Sequence, residues 1–148
     1  MPTKTRIPEP LDVYLRTASG DKSISLAAYI EGGRPLVTPE ALKALRALGP
    51  TLRTRVEALA DSPQLKRRIE MLILFLEETA GRSTTDAAVR DVAFALLYFL
   101  KGYDRVPDSI PEIGLLDDTI IATTVMQWHQ AVLSAHWRQR GRSWPDGL

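Results

Sequence analysis

The sequence predicts an all-α fold: a small helical bundle in a single domain of 148 residues. Three observations point there. Apolar residues recur at steps of three and four over long stretches, start and stop residues bracket each stretch, and no strand-like alternation persists. A chain of this length can bury one real core. Three long helices are expected at about 63–80, 85–101 and 117–140, with shorter ones at about 39–48 and 51–60. Residues 1–37 read as an irregular N-terminal segment and 141–148 as a tail.

Each element has its own reason. Prolines at 8, 10 and 35 interrupt the N-terminal segment, leaving room for short helices near 11–18 and 23–30, the second closed by Gly32-Gly33. Thr38 suits a helix cap and Pro39 the first helical position. Leu42, Leu45 and Leu48 then share one side, and Gly49-Pro50 stops or bends that helix. Leu52, Val56 and Leu59 mark the next. Asp61 or Ser62 caps a longer helix with Pro63 just inside, and Leu65, Ile69, Leu72 and Leu76 form its stripe before Gly81 ends it. Ser83 or Thr84 starts a helix carrying Val89, Val92, Ala93, Leu96 and Leu100, ended by Gly102. The last helix starts at Asp117 or Asp118 and carries Ile121, Val125, Trp128 and Val132.

Composition narrows the function classes. With no cysteine there are no disulfides, thiolate nucleophiles, iron–sulfur clusters or cysteine zinc sites. A net charge of +1 argues against binding driven by gross charge. The apolar runs at 71–76 and 92–100 fall short of the ~20 residues that span a bilayer, and the N-terminus lacks the apolar core of a secretory signal.

The stretch GYDRVPDSIPEIGLLDD, residues 102–118, sets five carboxylates and two prolines between two apolar helices. Pro107-Asp108 and Pro111 through Gly114 read as two turns. Asp117 reads as a helix cap and Asp118 as a first-turn acid favoured by the helix dipole, with Leu116 and Ile121 as a hydrophobic staple. Val106, Ile110, Ile113, Leu115 and Leu116 pin this corner to the helices, and Asp104 bonds to loop amides or to Arg105 or Arg90. This structural reading accounts for most of the acids. The competing reading has Asp104, Asp108, Asp117 and Asp118, with Glu112, holding Mg²⁺, Mn²⁺ or Ca²⁺, which prefer oxygen ligands. Their spacing matches no EF-hand loop.

Residues 96–126, LLYFLKGYDRVPDSIPEIGLLDDTIIATTVM, resemble the core of DUF1232, a widespread bacterial family of unknown function that includes YkvA-like proteins. The matching residues are Tyr98, Asp104, Pro107, Asp108, Ile110, Pro111, Gly114, Asp117 and Asp118. Gly102 stands where the family pattern has proline, and Val106 where it has isoleucine. The resemblance implies a small helical domain, membrane-associated in some members, and no established activity.

Other candidates are weaker. His129 and His136, seven apart on one helix, are about 10 Å apart along its axis, too far to share a metal. A solvated or core-edge role suits His129. Glu77-Glu78, at a helix end where the dipole disfavours them, could form half of a carboxylate site with Asp91, although a solvated face is the expected account. Residues 1–70 hold twelve basic and eight acidic groups, whereas 104–118 hold one and five. That asymmetry suits steering of a protein partner or a second copy. Trp137 and Trp144 among Arg138, Arg140 and Arg142 could touch RNA or anionic lipid, against a default of a solvated tail.

With no complete catalytic constellation, the expected function is a non-enzymatic interaction or regulatory module, partnered by another protein or by its own copies. It is expected in the cytoplasm or at the inner membrane surface, without a cofactor. The alternatives are a divalent-metal-dependent hydrolase built on the aspartates and a peripheral membrane or nucleic-acid binder, nucleic acid being the less favoured partner.

Overall fold

The computed structural model describes residues 7–18, 25–59, 62–80, 86–101 and 116–144, with residues 16–18, 101 and 116–118 described by backbone alone. These residues form eight α-helices and no strand: α1 Glu9–Ala18, α2 Leu26–Gly33, α3 Pro39–Ala47, α4 Gly49–Glu57, α5 Pro63–Glu78, α6 Ala87–Lys101, α7 Leu116–Trp128 and α8 Gln130–Gln139. A 3-10 turn, Arg34–Leu36, follows α2.

The architecture is a helical bundle around α6. Every residue of α6 from Asp91 to Leu100 is buried, and α2, the 3-10 turn, α3, α4, α5 and α7 all pack against it. A helix apolar on all sides must be enclosed on all sides, so the short N-terminal helices are needed as walls.

The described residues of the N-terminal segment are accordingly more helical than its prolines suggest. Ile7, Leu11 and Leu15, four apart, enter the core. Tyr14 Oη donates to the Tyr29 carbonyl (2.7 Å) and Tyr29 Oη to the Leu15 carbonyl (2.9 Å), a reciprocal exchange that ties α1 to α2. Tyr29 stacks on Tyr14 (5.4 Å between centroids) and meets Phe94 and Tyr98 edge-on at 5.2 and 5.9 Å. Tyr98, the motif tyrosine, thus sits in the core with no exposure.

Gly32 and Gly33 serve packing rather than a turn. Both belong to α2, and of the described residues only Gly141 has positive φ. A Cβ at Gly33 would collide with the Phe94 ring, and one at Gly32 with the Tyr14 hydroxyl.

Caps follow the expected pattern in α3, where Thr38 Oγ1 accepts from the Ala41 amide (3.3 Å) with Pro39 next. They depart from it elsewhere. Ser62 caps α5 without a side-chain hydrogen bond. Helix α6 starts two residues late because Asp86 is the residue that accepts from the amides of Ala88 (2.9 Å) and Val89 (3.4 Å); Ser83 and Thr84 lie outside the described residues. Helix α7 begins at Leu116, so Asp117 falls inside the first turn rather than at the cap. The single helix expected over 117–140 is divided at His129, whose backbone (φ −117°, ψ 23°) leaves the helical region.

Gly33→Ala is expected to lower stability by about 1–2 kcal/mol: overpacking against a rigid ring outweighs the helix-propensity gain of up to ~1 kcal/mol. Denaturant unfolding checks this, and the loss should shrink in a Phe94→Leu background if the collision is its cause.

Candidate functional site

The chemistry-bearing side chains of the described residues gather in two charged clusters, one inside the bundle and one at its end.

The first centres on Asp91, one turn into α6 and wholly buried. Arg34 of the 3-10 turn grips it with both arms: Nε donates to Oδ1 (2.7 Å) and Nη2 to Oδ2 (2.6 Å). His129 Nε2 donates to Oδ2 at 2.7 Å. Pro35 helps turn the chain so that Arg34 faces α6. Burial pushes the Asp91 carboxyl up, but the hydrogen bonds from His129 and Arg34 and their charges outweigh it and hold the carboxyl below the usual range. The hydrogen bond to Asp91 raises the Arg34 guanidinium above its ordinary value, against a smaller effect of burial.

The second cluster centres on Glu78, the last residue of α5. His136 Nε2 donates to Oε1 (2.9 Å), Arg142 Nη2 reaches the same oxygen (2.5 Å), and Arg140 Nε lies 3.3 Å away. Burial raises the Glu78 carboxyl, while Arg142, His136 and the Arg140 charge bring it below its usual range. Arg142 arrives there through a Schellman turn. The Gly141 amide donates to the Arg138 carbonyl (2.9 Å) and the Arg142 amide to that of Trp137 (3.1 Å), with Gly141 at φ 71°. The Arg142 guanidinium then lies 4.1 Å from the Trp137 ring centroid, and Trp144 meets that ring edge-on at 6.1 Å. The chain from 141 to 144 is therefore a packed return, not the solvated tail expected.

The carboxylate pairing raised from sequence does not form. Asp91 goes to Arg34 and His129, Glu78 to His136 and the two arginines, and Glu77 to Arg53 on the surface. His129 sits at the core edge, 13% exposed, while His136 is buried against Phe75. Sequence reasoning missed Arg34 altogether. Asp91 carried a usable signal, a carboxylate set among the apolar residues of α6 that needs a cation to be buried.

Of the motif residues, Tyr98 is placed in the core. Asp104, Pro107, Asp108, Pro111 and Gly114 lie outside the described residues, as do the side chains of Asp117 and Asp118. Among the described residues no three His, Asp or Glu side chains group as a metal site, and no helix is long and apolar enough to cross a membrane. Two shallow clefts, one between α4 and α5 and one where Ser62 and Arg68 face Thr119, reach neither cluster.

The Asp91 clamp immediately precedes a recognisable segment. Residues 92–124 match the family described as Protein of unknown function (DUF1232). The matched stretch therefore runs from the buried body of α6, through residues 102–115 outside the described ones, to the first turns of α7. No curated protein and no solved structure matches the chain significantly. The clamp flanks the DUF1232 segment on both sides: Asp91 stands one residue before it and His129 five residues after. Their bond fixes the two helices that the acidic corner connects.

Asp91→Asn is expected to cost about 2–4 kcal/mol, because Arg34 and His129 lose the charge they share and only Arg34 is open enough to rehydrate; chemical denaturation measures it. Both Asp91 and Glu78 have folded values below their unfolded ones. Their contributions are complete above the ordinary carboxylate value of about 4 and are lost as pH falls through the lower folded values. Melting temperature followed from pH 7 to pH 2 should therefore drop chiefly below about pH 4, and less steeply in Asp91→Asn.

Proposed function

We propose that the protein is a non-enzymatic helical interaction module, acting in a bacterial cytoplasm or at its inner membrane surface. The observation that carries this is the outer face of α7 and α8. From Thr119 to Trp137 the chain has no Asp, Glu, Lys or Arg, although 25% of the whole chain is charged. Helix α7 consequently shows almost no amphipathic contrast. A helix on the surface of a solitary globule normally turns charge toward water. Here Ile120, Trp128 and Val132 stand 40, 39 and 40% exposed. The polar machinery also fits a scaffold: Asp91 and Glu78 are each spent on arginine and histidine partners that hold helices together.

Purification of the tagged protein from its native cell, wild type beside Trp128→Glu, tests this reading. A protein retained by the wild type and lost from the variant supports it; identical profiles count against it. The reading also requires a melting temperature indifferent to EDTA and to added Mg²⁺, Mn²⁺ or Ca²⁺. A rise with one of these cations would instead favour a metal site on Asp104, Asp108, Asp117 and Asp118, because saturating a native-state site stabilises the fold.

A further inference from the structure

We infer that His129 is a phosphoacceptor: its Nδ1, backed by the buried Asp91 carboxylate, offers a lone pair to an activated phosphoryl donor. The inference goes beyond the interaction reading above, and neither needs the other.

The two histidines of the chain differ in what their second nitrogen does. Both direct Nε2 at a carboxylate, His136 at Glu78 (2.9 Å) and His129 at Asp91 (2.7 Å). An ionised carboxylate only accepts, so each ring carries a proton on Nε2 and, when neutral, leaves Nδ1 bare. The Nδ1 of His136 faces Arg140 Nη1 at 3.4 Å, and that side chain is only 1% exposed. Both its nitrogens are taken up by the fold. The Nδ1 of His129 makes no hydrogen bond, caps no amide of α8 and is not buried, and the side chain keeps 13% of its surface open. Structure uses one nitrogen of this ring and leaves the other facing water.

A carboxylate behind one ring nitrogen makes the opposite nitrogen a better nucleophile, because it stabilises the positive charge the ring gains as the new bond forms. Asp91 suits that role. It is held ionised, and Arg34 fixes both of its oxygens.

The surroundings select the electrophile. A metal ion needs further ligands, and among the described residues no three His, Asp or Glu side chains group together. Acyl transfer through a general base needs a hydroxyl to activate, and no described Ser or Thr hydroxyl bonds to His129. Phosphoryl transfer asks for positioning and charge stabilisation, with little covalent chemistry from the protein. An acceptor needs only one open nucleophile when the donor side brings the rest. From Thr119 to Trp137 there is no Asp or Glu to repel the incoming group, and Arg34, 32% exposed, stands on the other side of the Asp91 carboxylate. In the step, Nδ1 forms a bond to phosphorus as the bond from phosphorus to the leaving group breaks, and the leaving group departs with that electron pair. The ring becomes a cation that keeps its Nε2 proton against Asp91. The junction of α7 and α8 gains roughly two negative charges, a change large enough to regulate what the neighbouring surface binds.

Treatment of the full chain with potassium phosphoramidate tests this, with tandem mass spectrometry to find the site and phosphorus NMR to tell the ring nitrogens apart; ammonia is the leaving group. Expected is an acid-labile phosphoryl group on Nδ1 of His129, formed faster than on N-acetylhistidine under the same conditions. His129→Gln, which keeps a donor for Asp91, should lose the group, and His136→Gln should retain it. Asp91→Asn, checked for folding by circular dichroism, should slow the reaction and spread the new bond over both ring nitrogens, a change that a purely structural carboxylate does not produce. Site and isomer are read on the wild type, so the test stands if a variant folds poorly. A wild type that takes up no phosphoryl group, takes it on His136 or on Nε2 of His129, or reacts no faster than N-acetylhistidine overturns the inference. None of these outcomes touches capture of a Trp128-dependent protein, so this inference and the interaction reading fall separately.

Discussion

A negative charge lies buried on the enclosed helix of this bundle, and much of the structure follows from neutralising it. Helix α6 is enclosed along its length, so Asp91 has no water to turn to. An uncompensated carboxylate there would be prohibitively costly. Two segments remote in sequence supply the hydrogen-bond donors. Arg34 gives two parallel hydrogen bonds in a fixed plane, which fixes the 3-10 turn against α6. His129 gives the third, and the helix that contains it breaks there. The break divides the expected long helix into α7 and α8, with the donor ring placed inward at the junction.

The other end of the molecule solves a smaller problem of the same kind. Glu78 terminates α5, where helix carbonyls already concentrate negative potential. His136, Arg140 and Arg142 converge on the carboxylate, and Arg140 also approaches the Glu78 carbonyl. Gly141 makes this possible, because a left-handed residue reverses the chain just past α8 and brings Arg142 back across Trp137. Thus the two ends of α8 are tied to two different helices, α6 through His129 and α5 through His136 and Arg142. The outer face that carries Trp128 and Val132 is thereby held as a fixed surface.

Much of the fold was legible in the sequence because it was written in local signals. The leucines of α3, the stripe of α5 and the Thr38-Pro39 start all rest on residues within one or two turns of each other. The resemblance of the acidic corner to DUF1232 was legible for the same reason, being contiguous. What escaped was non-local. Nothing near Arg34 announces that it will meet a residue 57 positions later, or near His129 that its partner lies 38 positions back. Gly32-Gly33 misled because glycine signals a turn unless one knows that Tyr14 and Phe94 occupy the space of the missing side chains. Helix continuity through His129 was a fair reading of periodicity, which tertiary bonding overrode.

The spacing of the Asp91 partners also bears on how the chain is made. Arg34 leaves the ribosome first, then Asp91, and His129 last. Until that imidazole emerges, the nascent central helix carries an acid that lacks one of its two partners, and the wall that His129 anchors does not yet exist. Closure of the core therefore waits for residue 129 to emerge. A chain ending before His129 would leave the apolar flank of α6 open to proteases and chaperones.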